Sequence, residues 1–169
     1  DEDSNWSTPY VWRNRERTEI VTPGSDKVRS YSLKGELLWW FSGMSSITIA
    51  TPYADGDLLY VSSGYVGDFL RRPLYAIRPG ASGDISLEAK ATSNSHIAWC
   101  DWKGGPYNPS TLVYQNRLYV LYDRGTLSCY DAATGKVLYD RQRLPDGNAF
   151  TSSPWAGQGK IYCLNEDGV

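Results

Sequence analysis

The chain has 169 residues, 41% hydrophobic and 21% charged, with 17 Lys+Arg against 19 Asp+Glu, one His and a formal net charge of −2. This is the balance of one globular domain with a core of its own, and without a basic excess to displace counterions from a duplex no nucleic-acid partner is expected. No apolar run approaches the roughly 20 residues of a membrane-spanning helix, so no transmembrane segment is expected, and the opening DEDSNW is acidic, unlike a secretory signal.

With 7 Trp, 13 Tyr, 3 Phe, 16 Gly and 9 Pro, the chain favours many short strands and frequent turns. In chain order, STPY at 7–10 opens a group of strands expected at 8–12, 18–22, 27–32 and 36–41. ATPY at 50–53, PSTL at 109–112 and SSPW at 152–155 open similar runs. Eight residues on from Pro52, Thr111 and Pro154 stand Tyr60, Tyr119 and Tyr162, each preceded by Leu or Ile. The first copy carries three extra residues before Ile20 takes that place, and Ile20 to Tyr31 repeats the eleven-residue step from Tyr119 to Tyr130. In the third copy strands are expected at 111–114, 117–122, 126–131 and 136–141. Copies begin at 9, 52, 111 and 154, so the second is enlarged. In the last, NEDGV at 165–169 aligns with YDRGT at 122–126, which puts Val169 where a third strand begins.

Tandem four-stranded units of this period, without helical periodicity, predict an all-β chain: a partial β-propeller of four-stranded antiparallel blades. Residues 1–169 read as one domain with blades at 7–43, 50–92 and 108–147 and half a blade at 151–169, about three and a half in all. Trp39 and Tyr139 share one repeat position and are expected to fill the wedge between blades, while Cys129 and Cys163 fall within strands as small buried hydrophobes.

LYVLYDRG at 118–125 and LSCYDAATGKVLYD at 127–140, with PLYAIRPG at 73–80 and KGELLWW at 34–40, resemble the repeat of pyrroloquinoline-quinone-type (PQQ-like) β-propellers. The likeness is to the bacterial secreted propellers of this class, including relatives of the propeller lipoprotein of the outer-membrane barrel-assembly machinery. It implies closed rings of about six to eight blades, of which this chain would be a fragment, and a periplasmic or extracellular location. It implies architecture rather than chemistry.

The quinone-dependent dehydrogenases of that superfamily use a Trp platform, a vicinal cysteine pair, calcium and a catalytic Asp; Cys100, Cys129 and Cys163 include no adjacent pair. Asp55, Asp57, Asp123, Asp131 and Asp167 sit at turn positions and read as turn formers. His96, Cys100 and Asp101 make a weak zinc set with no second cluster. No catalytic residue, metal or cofactor is assigned.

The second copy is enlarged at SGYVGDFLRRP (63–73), in place of a tight hairpin, and at TSNSHIAWCDWKGGPYNP (92–109), in place of a short link. Loops between second and third strands and links between blades emerge at the same end of a propeller. The two insertions are therefore expected to meet and present Tyr65, Phe69, Arg71, Arg72, His96, Trp99, Trp102 and Tyr107 as a binding surface for a protein, peptide or carbohydrate. The alternative is that these rings fold inward and cap the channel mouth. The function expected is a non-enzymatic binding or scaffold module; the alternative is a piece of a quinone- or metal-dependent oxidoreductase whose catalytic residues lie elsewhere. An open arc would also expose an apolar blade face at each end, and a homodimer closing a ring of about eight blades is the expected way to cover both.

Overall fold

Burial with a period of two organises the chain. In β2 (Thr18–Pro23), Glu19, Val21 and Pro23 are buried while Thr18, Ile20 and Thr22 are half-buried, so one face of the strand is committed to the core. The computed structural model describes residues 5–145 and 147–169. In it β2 lies between β1 (Tyr10–Arg13) and β3 (Lys27–Ser32), with β4 (Leu37–Ser42) outside, as an antiparallel meander. A second meander comprises β5 (Tyr53–Asp55), β6 (Leu58–Ser62) and β7 (Leu74–Ile77). The chain then leaves this sheet, adds β8 (Gly83–Asp84) in parallel to the outer edge of β4, and returns as β9 (Ile97–Asp101) to complete it. The third sheet is β10 (Leu112–Tyr114), β11 (Arg117–Tyr122), β12 (Thr126–Asp131) and β13 (Val137–Arg143); a two-stranded fourth is β14 (Trp155–Gly157) and β15 (Lys160–Tyr162). There is no helix among the described residues.

The sheets pack face to face. Between the first and second lie Trp12, Val21, Trp39 and Phe41 against Leu59, Val61, Tyr75, Ile77 and Ile97. Between the second and third lie Tyr60, Leu74, Ala76 and Trp99 against Val113, Leu118, Val120 and Tyr130. The chain is thus an all-β, partial β-propeller. Each full sheet carries, on the face toward its predecessor, one in-register row across all four strands: Val11–Ile20–Tyr31–Leu37 in the first, Ala54–Leu59–Ile77–Ile97 in the second and Val113–Leu118–Tyr130–Val137 in the third.

Register refines the repeat. Val21 opposes Tyr10 as Tyr119 opposes Leu112, so Val21 rather than Ile20 takes the place of Tyr119. The first turn of copy one is accordingly four residues longer, not three, and its second turn is one residue shorter.

The larger correction concerns the second blade. Its outer strand is β9, inside the stretch expected to be an inserted link, so the sheet runs from Tyr53 to Asp101 and the insertion is 78–96, between third and fourth strands. The link that follows, 102–111, is as short as 43–52 between the first two sheets. Trp99 opposes Ala76 as Trp39 opposes Ser30 and Tyr139 opposes Cys129, each beside the same β-bulge. It is therefore the second blade's wedge residue, 6% exposed, stacked on Tyr130 (6.1 Å, 9°), with its Nε1 donating to the Ala132 carbonyl at 3.0 Å. Gly135 packs on that ring so tightly that a Cβ there would lie 2.5 Å from Trp99 Cδ2.

In the first sheet the wedge residue needs a polar partner. Trp39 Nε1 donates to Glu19 Oε2 at 2.6 Å; Ser30 Oγ also donates to this carboxylate, Asn14 Nδ2 does so at 2.7 Å, and Arg17 Nε stands 3.6 Å away. Glu19 is fully buried, so the donors offset its desolvation. Arg17 further donates to the Ala81 carbonyl, which fastens the 78–96 insertion to the first blade.

Trp99→Ala should lower stability by about 3–5 kcal/mol, the range for truncating a large buried aromatic, measured as a shift of the urea midpoint, whereas Phe69→Ala on an exposed loop should change it by less than about 0.5 kcal/mol. Glu19→Ala should cost about 3–5 kcal/mol, because it strands Arg17 and three other donors. Burial, with the Asp55 carboxylate beside it, pushes Tyr53 up to about 12; burial, with Cys129 beside it, does the same for Tyr139, and Tyr60, Tyr75 and Tyr130 are raised further by burial. The folded chain holds these protons above about pH 10, where an unfolded tyrosine releases its own. This part of the stability should be complete below about pH 10 and fall as the pH rises through 12, read as a declining melting temperature.

Candidate functional site

Turns between second and third strands, and links between sheets, emerge at one end of the meanders. Tyr65, Phe69, Arg71 and Arg72 lie in the β6–β7 loop, and Trp102 and Tyr107 in the β9–β10 link. The two segments meet: the Arg72 amide donates to the Trp102 carbonyl at 3.1 Å and the Gly105 amide to the Arg72 carbonyl at 2.7 Å. Such an approach requires glycine on both sides. A Cβ on Gly64 would lie 2.4 Å from the Gly105 carbonyl oxygen, and one on Gly105 would lie 2.2 Å from that of Ser63. The loop is held on its other side as well, where Asp68 Oδ2 accepts from the Ser46 amide at 2.6 Å and its hydroxyl at 2.9 Å.

Beside this junction a cavity of about 280 Å³ opens between the second and third blades, lined by Arg72, Tyr107, Tyr122, Asp123, Arg124 and Arg141 among others. Among the described residues of the lining Asp123 is the only carboxylate, and its oxygens already accept from the Tyr107 amide (3.2 Å), the Asn108 amide (3.0 Å) and Asn108 Nδ2 (2.6 Å). Arg141 lies over the Tyr122 ring at 3.9 Å and donates to the Lys103 carbonyl at 2.9 Å. Arg72 Nη2 donates to the Val66 carbonyl at 2.9 Å, while its Nε is out of water with no hydrogen-bond partner. Burial pushes the Tyr107 and Tyr122 hydroxyls up from the usual phenol range, so both stay neutral. Asp140 Oδ1 stands 4.0 Å from Arg141 Nε, and the three guanidinium groups still outnumber the described carboxylates beside them, which makes an electropositive recess in a chain of net charge −2. At the opposite end of the same blade interface, a cavity of about 290 Å³ is lined instead by Asp55, Asp57 and Asp131.

The eight residues expected to share one surface do not all do so. Tyr65 and Tyr107 pack ring to ring at 5.5 Å, and Arg72 adjoins them. Phe69 is 81% exposed on the loop, and Arg71 pairs with Asp26 at 3.3 Å. Trp102 is half-buried, edge-on to Tyr75 at 5.8 Å, with its Nε1 donating to the Ala91 carbonyl at 3.1 Å. Trp99 is core. His96 is at the other end of the blade, because it precedes Ile97, the first residue of β9, whereas Trp102 follows Asp101, the last. A five-residue strand, roughly 16 Å, separates them. Two insertions therefore do not converge; the 63–73 loop meets a link of ordinary length. Cys100 is buried and Asp101 accepts from the Tyr130 hydroxyl at 2.9 Å. Sequence reasoning missed Tyr122, Arg124 and Arg141, which belong to the third blade.

No family model and no curated protein matches the sequence. Among solved structures the chain is similar to BamB from Moraxella catarrhalis, with a TM-score of 0.59 and 15% identity over 94% of this chain and 42% of that one. It is similar to the computationally designed Ika4 protein, with a TM-score of 0.60 and 13% identity over 98% of this chain and 86% of that one. It is also similar to a europium-containing methanol dehydrogenase, with a TM-score of 0.53 and 9% identity over 82% of this chain and 25% of that one. The chain thus spans less than half of the BamB chain and a quarter of the dehydrogenase. At such identities the likeness is one of fold, and the fold is that of the PQQ-like β-propellers.

Proposed function

We propose that this chain is a non-enzymatic propeller scaffold whose electropositive recess between the second and third blades takes an acidic segment of a protein partner, and that it works outside the cytoplasm. The observation that carries the reading is the convergence of Arg72, Arg124 and Arg141 on one cavity in which Asp123, the sole carboxylate among the described lining residues, is already occupied. Guanidinium groups recognise carboxylates through short, paired, charge-assisted hydrogen bonds. The aromatic faces suit a sugar less well: Tyr65 and Tyr107 are tilted 53° against each other, Tyr122 is covered by Arg141, and Trp99 is buried. The resemblance to bacterial secreted propellers supports the extracytoplasmic location.

The test is fluorescence anisotropy with a labelled oligo-glutamate peptide, and with oligo-lysine and a cello-oligosaccharide beside it. Oligo-glutamate should bind saturably, more weakly at ~0.5 M than at ~0.05 M salt. The Arg72→Ala/Arg124→Ala variant, once its melting temperature is shown to be unchanged, should bind at least about tenfold more weakly. Saturable binding of the sugar alone, or an affinity for oligo-glutamate that the double variant retains, would overturn the reading.

A further inference from the structure

The 63–73 loop has a second side. Val66, Phe69 and Leu70 are 47%, 81% and 81% exposed and make an apolar tip on a segment that is otherwise tied down. The Tyr65 amide donates to Ser45 Oγ at 3.3 Å, the Asp68 amide to the Tyr65 carbonyl at 3.0 Å, and Arg71 Nη1 to Asp26 Oδ1 at 3.3 Å. Gly67 packs on the Tyr65 ring, where a Cβ would lie 2.6 Å from Cε1. Neighbouring apolar side chains held in water on a fixed backbone mark a contact site, because little ordering entropy is lost when a partner covers them. The loop belongs to the second blade, which packs against a sheet on either side, and so lies on neither end face of the arc.

Val66 joins this tip to the recess, since it also lines the cavity of Arg72, Arg124 and Arg141. On the tip side a hollow of about 320 Å³ is lined by Gly67, Asp68, Phe69, Leu70 and Arg71. Charge changes along this path. The recess is cationic, whereas the hollow holds the Asp68 carboxylate, and its Arg71 is paired with Asp26. A partner acidic throughout would carry like charge past Asp68 as it left the recess; an apolar side chain at that point meets Phe69 and Leu70 instead. An anionic lipid surface laid over the tip would meet the same two aspartates, so the charge pattern favours a peptide. Phe69 and Leu70 are three and two residues from Arg72 in the chain, which keeps their Cα atoms within roughly 11 Å of its own.

We propose that the segment taken by the recess is amphipathic: one of its carboxylates pairs with Arg72, Arg124 and Arg141, and an apolar side chain about two to four residues away along an extended chain packs on Phe69 and Leu70, which rests on the recess reading and adds the sequence character of the partner.

The probes are two labelled peptides of equal length: a run of glutamates followed by Gly and Ser, and the same run followed by Leu and Phe spaced by Ser. In fluorescence anisotropy the second should bind about tenfold more tightly, the effect of covering roughly half of one or two large apolar side chains. Phe69→Ser/Leu70→Ser, which alters exposed side chains only, should bring the two peptides to equal affinity, and Arg72→Ala/Arg124→Ala should weaken both. Equal affinities for the unmodified chain, or a gain that Phe69→Ser/Leu70→Ser keeps, overturn the amphipathic partner and leave the recess reading standing. If neither peptide binds saturably, both fall. Co-sedimentation with phosphatidylglycerol vesicles that Phe69→Ser/Leu70→Ser abolishes, with no gain between the peptides, assigns the tip to a lipid surface and overturns the proposal as well.

Discussion

Sheets that fan out from an axis leave a gap that widens toward the rim, and filling that gap is the constraint on which the structure depends. One repeat position does it. Trp39, Trp99 and Tyr139 each sit on an outer strand beside a β-bulge, which turns a large ring into the wedge. A buried indole must also place its N–H. Trp99 finds the Ala132 carbonyl, part of the neighbouring blade's own turn, at no extra expense. Trp39 finds a carboxylate, and the fully buried Glu19 then draws in Ser30, Asn14 and Arg17. A charged residue inside a strand that otherwise reads as core is thus a consequence of the wedge. Tyr139 is less enclosed because the fourth blade has only two strands to set against it.

The same packing pre-organises the electropositive recess. Its floor is the Gly64–Gly105 crossing, which fixes the 63–73 loop against the link before any ligand arrives, and Asp123 clamps that link to the third blade through three hydrogen bonds. The arginines are therefore held on a rigid frame, and little ordering entropy remains to be lost on binding.

The repeat was legible because tyrosine recurs at a fixed step in strands bounded by Gly, Asp and Asn, so fold and most strands could be read from pattern alone. The outer strand of the second blade could not, because the 78–96 insertion parts it from the third strand, where 33–36 and 132–136 make a short turn in the other two sheets. Its signal was nevertheless present: LLW at 37–39, IAW at 97–99 and VLY at 137–139 share an apolar residue two places before the wedge ring. Reading HIAWCDW as a loop moved Trp99 from core to surface and His96 to the wrong end. Tyr65, Arg72 and Tyr107 lie together because a loop and a link share an end by topology. Tyr122, Arg124 and Arg141 were not legible, since nothing local distinguishes them from the rest of an ordinary third blade; only packing between blades brings them to the cavity.

In every sheet the first strand runs the same way, so the turns between second and third strands all lie at one end of the arc. The recess lined by Arg72, Arg124 and Arg141 opens at that end and the cavity lined by Asp55, Asp57 and Asp131 at the other, so a single blade interface carries opposite charge at its two ends.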